Sequence, residues 1–186
     1  DGLPDLVVIA DEGPGQAGVI LVARNLGVQT NGQWLGFEQN FAVFSTLGDR
    51  PASIAVGDMN RDELPDLVVM NRGPADGQIR IRLNSQSQPG DFSQVDPREI
   101  TVQGVPADIT LADIGGEGLL DVGTVFQRNT RGTGDGGIQV DENTGDGFDD
   151  SDGDTGDDPG SVDSMGGEIS ATGIATTSKG EASVYV

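Results

Sequence analysis

Apolar residues come along this chain in short bursts rich in Val and Ile, separated by clusters of Gly, Pro, Asn and Asp. That punctuation is the pattern of strands and turns, and no stretch carries the three- and four-residue spacing of an amphipathic helix. The bursts predict strands at Leu6 to Ala10, Val19 to Arg24, Phe41 to Ser45 and Ser53 to Val56, with a long insertion around Trp34 before the third. The order returns at Leu67 to Met70, Gln78 to Leu83, Glu99 to Val102 and Ile109 to Ala112, and restarts at Gly123 to Phe126 and Gly137 to Val140. Ile79, Ile81 and Leu83 alternate with Arg80 and Arg82, as in a half-buried strand whose arginines are solvated or paired with carboxylates.

The polar stretches between bursts repeat as well. Asp58-Met59-Asn60-Arg61-Asp62-Glu63-Leu64-Pro65-Asp66 runs straight into Leu67-Val68-Val69-Met70. Side-chain oxygens fall at positions 1, 3, 5 and 9, and Leu64 at position 7 can offer its carbonyl. Calcium takes six to eight oxygen ligands at about 2.3–2.6 Å, and ligands on alternate residues of a tight loop can surround one point. The alternative is a polar turn, because Asp and Asn also favour turns through local hydrogen bonds. The chain opens on a partial copy, Asp1-Gly2-Leu3-Pro4-Asp5-Leu6-Val7-Val8-Ile9, and carries a third copy at Asp113 to Asp121. The third has Gly115 at position 3 and Glu117 at position 5. A fixed period of this size is the mark of a repeat architecture.

Composition narrows the function. Net charge is −21, with nine Arg and the single Lys179 against 31 acidic residues. That balance opposes nucleic-acid binding, which needs a basic surface for phosphates. It suits cation binding, and also general solubility or adaptation to salt. With no Cys and no His, a Ser-His-Asp triad, a thiolate nucleophile and a His-ligated zinc are all excluded. No run reaches membrane-span length and no signal peptide is present. Residues 141–158 hold nine acidic side chains and no basic one. Within them Asp150, Asp152, Asp154, the Gly156 carbonyl and Asp158 repeat the ligand spacing without a following apolar strand; the alternative is a disordered acidic loop. The tail, 168–186, predicts a hairpin about Ser178 to Glu181, packed in its own sheet or adding a strand to a neighbour.

At Ile54 to Val69, Asp1 to Val8, Ala107 to Val122 and Gly137 to Phe148 the chain resembles the FG-GAP/VCBS repeat family, the calcium-loop β-propeller repeats of integrin α-subunit heads and many exported bacterial proteins. The resemblance covers roughly the first 148 residues. It implies an all-β fold of β-propeller-type repeats built from four-stranded antiparallel blades, with the loop joining successive blades. Repeats would then run 1–62, 63–117 and 118–148, followed by an acidic loop at 149–167 and a strand or hairpin at 168–186. It implies calcium on Asp58, Asn60, Asp62, the Leu64 carbonyl and Asp66, and on Asp1, the Leu3 carbonyl and Asp5. The third copy offers Asp113, Glu117, the Leu119 carbonyl and Asp121. Propellers close with four to eight blades, so about three repeats imply an incomplete ring or part of a larger assembly.

The function expected from this is an extracellular, calcium-stabilised module for adhesion, protein or glycan interaction, or scaffolding. Its partners would be other protein chains, copies of itself or further parts of a longer chain. The alternative is a self-assembling fibre or surface-layer subunit joined by strand pairing and calcium. A propeller hydrolase or lyase using a pair such as Asp149 and Asp150 is a third reading. Without a nucleophile elbow, His or Cys, those carboxylates are better explained as ligands or solvated charge, and no enzyme is expected.

Overall fold

The computed structural model describes residues 2–73, 77–102, 104–127 and 137–150, and the short strands Ala175–Thr176 and Ala182–Ser183. Among the described residues every regular element is a strand, so the fold is all-β. The chain divides into two compact units, Asp1–Pro51 and Ala52–Val186.

The first unit is a three-stranded antiparallel sheet of β1 (Leu6–Ala10), β2 (Ala17–Ala23) and β3 (Ala42–Asp49), in that order. Val8 lies opposite Leu21, and Leu21 opposite Val43, so these three share one face. The insertion around Trp34 is a β-ribbon between β2 and β3. Leu26 donates to the Gly36 carbonyl and Gln29 to that of Gln33, with Val28 bridged to Trp34. Gly32 turns its tip at φ 82, a left-handed conformation that favours glycine. The Trp34 ring meets Phe37 edge-on at 5.3 Å.

The second unit holds two four-stranded meanders. One is β4 (Pro51–Gly57), β5 (Asp66–Arg72), β6 (Gly77–Leu83) and β7 (Gln94–Val102); β4 begins on the last residue of the first unit. The other is β8 (Val105–Ala112), β9 (Asp121–Gln127), β10 (Gly137–Asn143) and β11 (Phe148–Asp150). Toward the C-terminus β12 (Ala175–Thr176) pairs antiparallel with β13 (Ala182–Ser183). The nonapeptide loops therefore join the first and second strands of one sheet, β4 to β5 and β8 to β9, and not one blade to the next as the resemblance implies. Hydrogen bonding puts β4 beside β5, so a period cut at the loop is out of phase with the sheets.

Side-chain alternation supplies the core between these two sheets. Val68, Met70, Ile79, Ile81, Ile100 and Val102 pack with Ile109, Leu111, Val122 and Phe126, and Met59 enters from the loop. Each fully buried side chain of this size contributes about 1.5–3 kcal/mol. Strand β5 is buried on both faces, Leu67 and Val69 included, which is why it reads as an unbroken apolar run. One side-chain bond links the first strands of the two sheets, the Ser53 hydroxyl donating to Asp108 at 2.7 Å. Gly77 on the inner strand β6 allows a close approach of β8, since a Cβ there would fall 2.5 Å from the Pro106 ring.

The two β6 arginines part company. Arg80 pairs with Glu99 at 2.8 Å on the facing strand, as alternation suggests. Arg82 is buried rather than solvated, and donates to the Phe92 carbonyl at 2.9 Å. Burial also lowers its pKa. Alternation fixes which face a side chain takes, but not whether a neighbouring turn covers that face.

Candidate metal centre

The loop 58–66 is organised by its own carboxylates. Asp58 accepts from the backbone N–H groups of Asp62 at 3.1 Å and Glu63 at 2.8 Å, and more distantly from Asn60. Asn60 accepts from the Asp62 amide at 3.0 Å, and Asp62 accepts from Leu64 at 2.9 Å. These bonds wind positions 1 to 7 around the oxygens a cation would use. The winding takes left-handed backbone at positions 4 and 6, Arg61 at φ 60 and Glu63 at φ 67. Such conformations cost a non-glycine residue free energy unless the surroundings hold them. In the third loop both positions are glycine, Gly116 at φ 80 and Gly118 at φ 86, and in the first Gly2 holds position 6 at φ 80. The loops thus share one backbone shape despite different residues.

The position-9 aspartates do something the sequence did not announce. Asp66, fully buried, accepts from the Met59 amide at 2.9 Å and the Asn84 amide at 2.8 Å. Asn84 reciprocates by donating its side-chain amide to the Pro65 carbonyl at 3.0 Å, and accepts from Gly90. Asp121 repeats the bracket: it accepts from Ile114 at 2.7 Å and Asn143 at 2.9 Å, while Asn143 donates to the Leu120 carbonyl and accepts from Gly145. Asp5 accepts from the Asn25 amide at 2.8 Å, and Asn25 donates to Pro4 and accepts from Gly27. Three Asp–Asn latches therefore clamp the end of each loop to the exit of the next hairpin strand. The asparagines stand 20, 18 and 22 residues after their aspartates. Their distance from the aspartates varies, while Asn25, Asn84 and Asn143 themselves recur every 59 residues (84 − 25 and 143 − 84).

Cation chemistry is set by how the carboxylates converge. Asp113, Glu117 and Asp121 bring one oxygen each within 4.8 Å of one another, the group of this kind found among the described residues. The longer Glu117 at position 5 places its carboxylate beside the other two, and these hard oxygen donors fit calcium. In the loop 58–66 the oxygens of Asp58, Asn60 and Asp62 face the loop amides, with Leu64 half-buried and Asp66 at the base. Burial raises the Asp66 pKa above 3.8, the amide hydrogen bonds oppose it, and the Asp62 and Asp58 charges raise it further. Leu3 and Asp5 are exposed, and Leu119 is buried. Asp1, Asp152, Asp154, Gly156 and Asp158 lie outside the described residues; Asp150 is in β11, opposite Asp141.

The loops 58–66 and 113–121 touch. Arg61 reaches across to the carbonyls of Glu117 and Gly118. Arg98 on β7 grips Asp96 and donates to the Asn143 side-chain oxygen at 2.8 Å, with its guanidinium 5.0 Å over the Phe148 ring.

Among known proteins, residues 1–69 match the family model described as an FG-GAP-like repeat. No curated protein and no solved structure matches the chain. The match takes in the partial first loop, the complete loop 58–66 and the start of β5, which are the segments with the recurring latch and winding. Over residues 1–69 the chain is similar to the FG-GAP-like repeat family.

Proposed function

We propose that the chain is an extracellular β-repeat module for adhesion, protein or glycan interaction, or scaffolding, in which calcium is structural. The observation that carries the reading is the convergence of Asp113, Glu117 and Asp121 in a loop wound like 58–66. A buried position-9 carboxylate whose pKa is raised by desolvation and by its acidic neighbours gains from a divalent cation at the same loop. Calcium would be held by Asp58, Asn60, Asp62, the Leu64 carbonyl and Asp66 in one loop, and by the Asp113, Glu117 and Asp121 carboxylates in the other. Bound there, it would neutralise repulsion and tie each loop to its sheet. No catalytic role is assigned to these carboxylates, which are committed to winding and latching. Among the described residues no helix is long and apolar enough to cross a membrane.

Isothermal titration calorimetry with calcium tests the reading. Wild type is expected to bind in the range of weak extracellular sites, about 10⁻⁴–10⁻³ M. Glu117→Gln should remove one site and Asp62→Asn the other. Absence of binding heat at millimolar calcium, with magnesium equally inert, would overturn the calcium assignment.

A second reading, association with another β-repeat, is favoured by one comparison. Leu6 and Val8 are each 42% exposed, whereas their repeat equivalents Leu67 and Val69 are 0% and 1% exposed. The corresponding face of the last sheet, through Val122 and Phe126, is covered by the preceding sheet of the same unit. A further sheet, from a second copy or another chain, would cover Leu6, Val8 and Val43 in the same way. Sedimentation velocity is expected to show self-association that Val8→Asp abolishes; monodisperse monomers for wild type would remove self-assembly.

A further inference from the structure

The third latch differs from the second in reaching the neighbouring loop. The Asn143 side-chain amide donates to the Leu120 carbonyl of its own loop at 3.2 Å, as its counterparts do, and also to the Met59 carbonyl of the neighbouring loop at 3.1 Å. Met59 is the residue whose N–H is held by Asp66, and its side chain is fully buried between the sheets. A hydrogen-bonded path therefore runs from Asp66 through both faces of the Met59 residue to Asn143, and on through the Asn143 amide to Asp121. Every link is buried, with the side-chain oxygen of Asn143 further held by Arg98. Buried polar groups in such a network are costly to leave unpaired, so its members open together.

We infer that Asn143 is a coupling residue that makes the loops 58–66 and 113–121 open and close as one unit. Its side chain sits where the base of one loop and the base of the next share a donor: the Met59 and Leu120 carbonyls both point to Nδ2. Asn84 supplies the matched contrast, because its side chain serves the Pro65 carbonyl and the Gly90 amide of its own repeat. The coupling is a property of the chain without cation. If calcium binds as proposed above, it follows that filling one loop alters affinity at the other, since two sites that bias one shared element are linked reciprocally.

Hydrogen–deuterium exchange by mass spectrometry of the full chain, in chelator, tests this without reference to calcium. Asn143→Asp keeps the oxygen that accepts from Arg98 and Gly145 but loses the donor to Met59 and Leu120. It is expected to speed exchange about tenfold in peptides covering both 58–66 and 113–121, the scale of one buried hydrogen bond lost. Asn84→Ala, which loosens the base of 58–66 but leaves Asn143 in place, should speed exchange in both loops too, and at 58–66 alone once Asn143→Asp is added. Acceleration by Asn143→Asp confined to 113–121 would overturn the coupling. If the added carboxylate prevents folding, Asn143→Ser, which shortens the side chain away from Met59, carries the same expectation and the same overturning result. Loss of the calcium assignment by calorimetry would leave this exchange pattern intact, so the two failures are told apart.

Discussion

At the scale of single residues, the loops divide labour between two kinds of carboxylate. Asp58 and Asp62 wind the loop with oxygens that stay near solvent, whereas Asp66 is sealed at its base and satisfied by two amides. The division has a measurable consequence. Asp62→Asn keeps an acceptor for the Leu64 amide, so urea unfolding in chelator should change by less than about 0.5 kcal/mol. Asn84→Ala strands the Pro65 carbonyl and the Gly90 amide, and should cost about 1–3 kcal/mol with or without calcium. A large loss from Asp62→Asn in chelator, or none from Asn84→Ala, would contradict this division. The aspartates were legible from spacing alone. The asparagines were not, because a lone Asn after a strand reads as ordinary turn chemistry until its bond to a distant carboxylate is seen.

At the scale of elements, the sheets owe their mutual packing to small residues as much as to the apolar faces. Gly77 admits the Pro106 ring of β8, and a Cβ in its place would stand 2.5 Å from Pro106 Cγ. Gly77→Ala should therefore push β6 from β8 and lower stability by about 1–3 kcal/mol, the usual cost of overpacking a filled contact. Unchanged thermal unfolding of this variant would show that the contact yields freely. The strands themselves were readable, since Val and Ile bursts bounded by Gly, Pro, Asn and Asp have few other solutions. Their grouping was not. Ser53 to Val56 reads as the end of one period, yet β4 opens a sheet, because the loop after it is tight enough to return the chain alongside as β5. The burial of Arg82 was hidden for a related reason: the segment carrying Phe92 and Ser93, whose carbonyls it meets, follows the strand and folds back over it, which strand alternation does not encode.

At the scale of the whole molecule, net charge of −21 with a pI near 4.1 loads the folded state with self-repulsion. Any salt relieves part of that repulsion, over a screening length of about 8 Å at 0.15 M. A structural role for calcium must therefore exceed what equal ionic strength of sodium or magnesium delivers. The most direct measurement is thermal unfolding of the full chain at matched ionic strength, in calcium and in chelator. At calcium about tenfold above Kd, mass action adds about 1.4 kcal/mol per site, which raises Tm by about 3–6 °C for each of the two sites in a chain of this size. That rise, lost on Asp62→Asn and Glu117→Gln together and not reproduced by magnesium, is the expected result; an equal Tm in calcium and chelator would contradict structural calcium.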